Sequence, residues 1–70
     1  MDIAKLKYYL YARKKTIGMY EAALGISRTA LYRKMHQQTE FTREEIQKTI
    51  TFLGLKDDEI IEIFFTKKVS

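Results

Sequence analysis

The sequence predicts an all-α fold, a compact arrangement of five helices, and three observations carry that expectation. Proline is absent and glycine occurs at only three positions, Gly18, Gly25 and Gly54, so uninterrupted helical segments are permitted almost everywhere. Apolar residues recur at three- and four-residue spacing in successive stretches, the period of a helix with one buried face. Between those stretches stand residues suited to starting or stopping helices: Thr16, Ser27 and Thr42 as caps, Gly25 and Gly54 as terminators.

The elements follow in order. Leu6, Tyr9, Leu10 and Arg13 share one face, so residues 2–14 read as a first amphipathic helix with Asp2 near its positive end. Its close, Arg13-Lys14-Lys15, suits the carbonyl end of a helix and equally suits a phosphate. Thr16 caps a second helix, residues 17–24, that buries Tyr20, Ala23 and Leu24. Gly25 ends it, because the position just past a helix favours a left-handed backbone that glycine adopts without steric penalty. Ile26 anchors the turn and Ser27 caps a third helix, residues 28–36, with Leu31 and Met35 facing inward. Thr42 and Glu45 form a capping box for a fourth helix, residues 43–53, striped with Ile46, Ile50 and Leu53. Gly54 stops that helix, and a fifth runs over residues 57–65 with Asp57, Asp58 and Glu59 at its positive end. One domain of residues 1–66 followed by a flexible tail, 67–70, is expected.

Charge is unevenly spread. Residues 1–38 hold eight Lys/Arg against two Asp/Glu, a balance of +6, while residues 39–70 hold five against seven, a balance of −2, together the +4 of the chain. A basic first half favours a polyanionic partner, and a solvated basic surface is the alternative reading. There is no cysteine, which removes disulfides and thiolate zinc sites and fits a reducing compartment. No run approaches the roughly 18 apolar residues of a membrane span, and the amino terminus lacks a secretory pattern, so a soluble cytoplasmic protein without a membrane partner is expected.

The stretch TIGMYEAALGISRTALYRKM resembles the Cro and lambda-repressor type of helix-turn-helix, the XRE family, and FLGLKDDEIIEIFF is similar to its closing pair of helices. The resemblance covers about residues 3–65, and its most specific elements are Leu24-Gly25-Ile26-Ser27, Leu31 and Leu53-Gly54-Leu55. It implies a lambda-repressor-like domain in which Thr16 lies against a phosphate and Ser27, Arg28, Thr29, Tyr32 and Arg33 line the exposed face of a recognition helix. Residues 28, 29, 32, 33 and 36 are accordingly expected on the side of the helix opposite Leu31 and Met35.

Base contacts are expected from Arg28, Thr29, Tyr32 and Arg33: an arginine pairs with guanine through two hydrogen bonds, and Thr29 can touch a thymine methyl. Backbone contacts are expected from Thr16, Ser27, Lys34, His36, Gln37 and Gln38. Three positions depart from the family pattern. Ile17 replaces a glutamine that would contact the DNA backbone. Glu21 replaces a small residue and must point outward or pair, with Arg33 or Lys34 as expected partners. Gln37 replaces a helix-ending glycine, so the third helix is expected to fray or extend there.

Other features have plainer readings. Tyr8, Tyr9, Tyr11 and Tyr20 are expected to pack with their hydroxyls in water. His36 is the single histidine, and no serine or carboxylate constellation accompanies it, so no enzymatic activity is expected. Helix-dipole stabilisation accounts for Asp57, Asp58, Glu59 and Glu62, whose spacing lacks the glycine and alternating ligands of a calcium loop, so no metal or cofactor is expected. A small-molecule ligand is not expected either, because a helical core of this size leaves little room for a pocket.

Five large apolar residues among positions 60–65 cover most of the circumference of the fifth helix. Exposure of some of them predicts a homodimer through Ile61, Phe64 and Phe65. The combined expectation is a Cro-like transcriptional regulator of the phage type that represses by occupying a palindromic double-stranded DNA operator. A protein-interaction module on the same fold, an antitoxin or antirepressor, is the alternative.

Overall fold

The computed structural model describes residues 1–65, so the expected tail lies outside the described residues. All five elements are helices: α1 (Ile3–Ala12), α2 (Ile17–Leu24), α3 (Arg28–Met35), α4 (Arg43–Leu53) and α5 (Asp57–Phe64). The limits of α2 and α4 coincide with those expected from caps and glycines, whereas α1 stops two residues early.

Each start has a local cause. Asp2, Thr16 and Ser27 accept hydrogen bonds from the backbone N–H groups of Lys5, Met19 and Ala30 at 3.0–3.1 Å. Thr42 and Glu45 exchange reciprocal bonds of 3.1 and 2.8 Å, a complete capping box. At α5 the cap position is Lys56, which has no acceptor to offer, so only the return bond forms, from the Lys56 N–H to Glu59 at 2.9 Å.

Four of the five ends share one device, visible in part from the sequence; α5 ends at Phe65 without it. Gly25 and Gly54 adopt left-handed backbone with φ of 68° and 62°. Ile26 N–H reaches back to the Glu21 carbonyl and Leu55 N–H to that of Ile50. Lys14 and Gln37 adopt the same backbone with φ of 56° and 58°, and Lys15 and Gln38 bond back to Leu10 and Arg33. The third helix therefore neither frays nor extends at Gln37. That residue stands in for the missing glycine and accepts the left-handed strain, and Lys14 shortens α1 in the same way.

Leu6, Tyr9, Leu10, Tyr20, Leu24, Leu31, Met35, Leu53, Leu55 and Ile63 form the buried core. Tyr20 lies at its centre, fully buried, with its ring stacked between Phe41 and Phe52 at centroid distances of 6.5 and 5.6 Å. Its hydroxyl is not in water: it meets Thr49 Oγ1 at 2.7 Å, and Thr49 is also fully buried. The single Thr49 proton goes to the Glu45 carbonyl at 2.9 Å, so Tyr20 is the donor in the first bond. This chain ties α2 to α4. Tyr9 is buried too and donates to Glu62 at 3.0 Å, tying α1 to α5, while Tyr8 and Tyr11 project into solvent. The Asp2 N–H adds a 2.7 Å bond to the Ile63 carbonyl.

Substitutions at the two kinds of left-handed position are expected to have opposite signs. Gly25→Ala should cost roughly 1–2 kcal/mol, since no atom obstructs the added Cβ and only the backbone objects. Gln37→Gly should gain about 0.5 kcal/mol, the released strain less the extra entropy glycine has when unfolded. Denaturant titration of both variants, with unchanged slopes, checks this.

Alkaline titration examines the core separately. Burial pushes the Tyr20 phenol up from 10.0 to about 12, and burial with the Glu62 hydrogen bond does the same to Tyr9. Groups held protonated in the folded state contribute stability below pH 10 and lose it as pH rises towards 12. Thermal midpoints should fall across that window, and less steeply in Tyr20→Phe.

Candidate functional site

The α2–α3 segment concentrates the exposed basic and polar groups. The turn between the two helices is three residues, Gly25 to Ser27, closed by the Glu21 carbonyl on one side and the Ser27 cap on the other. Leu31 and Met35 bury the inner face of α3. Away from them, Thr29, Tyr32, Arg33 and His36 are exposed, together with Ser27 before the helix and Gln37 and Gln38 after it. Arg28 is exposed too, but not on the opposite side as expected: three and seven residues before Leu31 and Met35, it shares their side of α3 at the helix's first position and lines one groove with them. Thr16 is exposed at the start of α2, its hydroxyl occupied in capping Met19.

Within this face the side chains are partly ordered. Tyr32 and His36 stack at 3.9 Å, and His36 Nδ1 lies 2.9 Å from the Tyr32 carbonyl. A carbonyl only accepts, so Nδ1 carries a proton. Arg28 donates its Nε to Glu21 Oε2 at 2.9 Å while its side chain remains 75% exposed. Glu21 thus pairs with Arg28, and not with Arg33 or Lys34 as expected. The Glu21 hydrogen bond and charge raise the guanidinium pKa further above its ordinary value.

Lys34 is the clearest correction. It was expected on a DNA backbone, yet its side chain is only 12% exposed and its Nζ lies 2.8 Å from Glu45 Oε1. It also donates to the Glu40 carbonyl at 3.1 Å and sits 5.9 Å from the Phe41 ring centre. Three residues separate it from Leu31, so it lies on the side of α3 that turns towards α4. Burial raises the Glu45 carboxyl, but the Lys34 ammonium and the Thr42 backbone N–H outweigh it and hold the group below its usual value.

The Arg13-Lys14-Lys15 cluster is likewise divided. Arg13 Nη2 donates to both Glu59 oxygens at 2.9 and 3.0 Å and its guanidinium lies 4.9 Å over Tyr9. Lys15 lies 5.0 Å over Phe52. Lys14 alone of the three is exposed, beside Tyr11 and Thr16 in a shallow depression. Glu59 is held below its usual value first by the Lys56 N–H and then, against burial, by Arg13.

Two apolar residues are exposed on α2: Ile17, already singled out as a departure, and Met19, which sequence reasoning missed. Ile17 and Met19 are 40% and 44% exposed at the start of α2. Met19 lies off the Tyr20–Leu24 side of the helix, which carried its signal, whereas Ile17, three and seven residues before them, shares that side in the first turn. Ile17 lines a groove of about 330 Å³ with Lys7, Arg28, Leu31, Tyr32, Met35 and His36.

On α5, Ile61 and Phe65 are 58% and 66% exposed, four residues apart on one side. Phe64, expected beside them on the outward surface, is instead half-buried against the core. Among the described residues no helix is long and apolar enough to cross a membrane, and no group of three or more His, Cys, Asp or Glu is placed to hold a metal ion. No family model, curated protein or solved structure matches the chain.

The Lys34–Glu45 pair yields a stability test. Lys34→Ala leaves a carboxylate without its partner and should cost roughly 2 kcal/mol, less than a fully buried pair because Thr42 still donates. A carboxyl held below the ordinary 4.5 stabilises above that pH and loses its contribution as pH falls through the depressed folded value. Acid unfolding of Lys34→Ala should therefore begin at higher pH than in the unaltered chain, as followed by circular dichroism.

Proposed function

We propose that the chain is a sequence-specific double-stranded DNA-binding regulator, a Cro-like repressor that presents α3 to the major groove of an operator. One observation carries the reading: a short turn with left-handed Gly25 joins α2 to an α3 that exposes Arg28 at its first residue and Thr29, Tyr32 and Arg33 on its outward side. Two short helices joined in this way make the helix-turn-helix arrangement, in which the second helix enters the groove. Arg28 and Arg33 supply the donors for guanine, and Thr29 and Tyr32 flank them. Thr16, Ser27, His36, Gln37 and Gln38, all exposed, are the phosphate contacts in this reading. Lys34 is not among these contacts.

A second copy completes the reading. The exposed pair Ile61 and Phe65 offers a self-complementary apolar strip on α5, the surface for a two-fold dimer. In such a dimer the two copies of α3 would meet half-sites one turn of DNA, roughly 34 Å, apart. A palindromic operator follows from that symmetry. Repression is steric, since a bound dimer covers the duplex that polymerase requires.

A different reading has its own support in the apolar groove. Ile17 and Tyr32 are exposed hydrophobics in that groove, beside Arg28, and such patches suit a protein partner, as in an antitoxin or antirepressor.

Duplex retention at two salt concentrations separates them. The DNA reading expects roughly 100-fold loss of affinity between about 50 and 200 mM salt, the consequence of releasing counterions from about four phosphates. Absent or salt-insensitive binding would favour the protein-partner reading instead. Within the first outcome, Arg33→Ala should lose preference at one base pair when sites are selected from a random pool.

A further inference from the structure

The Glu21–Arg28 pair joins the last turn of α2 to the first residue of α3, across the three-residue turn. Glu21 is well anchored for this. Its carbonyl accepts from Gly25 at 2.8 Å and from Ile26 at 3.2 Å, so the residue belongs to the closed end of the helix and has little freedom. Its side chain is 20% exposed, while that of Arg28 is 75% exposed, so the carboxylate is set back and the guanidinium stands forward.

The contact uses one particular donor. Glu21 Oε2 takes the Nε hydrogen at 2.9 Å. A guanidinium has five N–H donors in a plane, and an acceptor at Nε leaves the end-on edge, formed by the two terminal amino groups, unoccupied. That edge can still reach two acceptors of a guanine together, whereas the side edge that includes Nε is taken.

We infer that Glu21 is a positioning residue that holds Arg28 by its Nε and presents the terminal amino groups outward, so that the pair contributes base preference and not general attraction to DNA. The inference rests on the DNA reading above. Two physical consequences distinguish it from a simple tether across the turn. First, Arg28 would otherwise have to lose its rotamer freedom on binding, and Glu21 removes most of that freedom beforehand. Second, the pair is neutral as a unit, so Arg28 displaces little of the counterion atmosphere of the duplex. Removing Glu21 therefore strengthens sequence-independent binding while it blurs recognition, the opposite of what loss of a DNA contact does.

Site selection from a random duplex pool and salt titration on a scrambled duplex test this in the unaltered chain, Glu21→Ala, Glu21→Gln, Arg28→Ala and the Glu21→Ala/Arg28→Ala double variant. Thermal unfolding of each accompanies them. Arg28→Ala identifies the base pair concerned. At that pair Glu21→Ala is expected to lose about tenfold in preference. On the scrambled duplex at about 50 mM salt it should bind about tenfold more tightly, with a salt slope steeper by about 0.9.

Glu21→Gln keeps the acceptor oxygen and the side-chain length but not the charge, so it should steepen the slope equally while losing less preference. It also supplies the measurement should the alanine variant fold poorly. In the Arg28→Ala background Glu21→Ala should change no base preference. Undiminished preference in both Glu21 variants, with only a lowered unfolding temperature, would overturn the inference and leave the DNA reading intact. Failure of the unaltered chain to retain any duplex would overturn the DNA reading itself, and this inference with it.

Discussion

Tyr20 donates to Thr49 across 2.7 Å at a place where both residues are fully buried and the tyrosine ring is enclosed by Phe41 and Phe52. A hydroxyl taken from water without a partner is costly, so α2 can rest on α4 only at a rotation and height where these two oxygens meet. The Thr49 proton passes to the Glu45 carbonyl, and the Glu45 side chain both closes the start of α4 and grips Lys34 of α3. One continuous path of polar contacts therefore runs from α2 through α4 to α3. It sets which side of α3 faces outward, and with that which residues are available to a partner.

The same constraint explains how the cations divide. Arg13, Lys15 and Lys34 all come from the basic first half, and all three are engaged with Glu59, Phe52 or Glu45. They hold α1 to α5 and α3 to α4, and they are poorly placed to meet an external anion. Arg33 and Lys14 remain outward, and Arg28 is outward but paired. The net balance of a segment is thus a poor guide to the charge its surface presents. Where basic and acidic residues share a small fold, part of the excess is spent on cohesion.

An apolar component accompanies the basic face. Ile17 and Tyr32 stand beside Arg28 and His36, so whatever meets this surface must satisfy methyl groups and aromatic rings as well as guanidinium groups. In a DNA groove those requirements match thymine methyls and sugars. On a protein partner they match an ordinary apolar anchor with an acidic rim.

Helix limits were legible in the sequence because they depend on neighbours three to five residues away. Thr16, Ser27, Thr42, Gly25 and Gly54 each act through one local backbone bond, and each does what its chemistry alone implies. The inward residues Leu6, Leu10, Tyr20, Leu24, Leu31, Met35 and Leu53 were readable for the same reason, through helical period. The outward placement of Thr29, Tyr32 and Arg33 followed from those, whereas Arg28, on the Leu31–Met35 side by period, is exposed at the first residue of α3.

Tertiary structure alone decided the rest. Glu21 took Arg28 over Arg33 or Lys34, Lys34 turned to Glu45, Phe64 turned inward, and Thr49 became the buried partner of a tyrosine 29 positions away. Gln37 and Lys14 took left-handed backbone that no residue preference announces, because neighbouring helices require the chain to reverse there. Partner choice depends on which surfaces meet in space, and a linear pattern fixes the face of a helix without fixing what that face will touch.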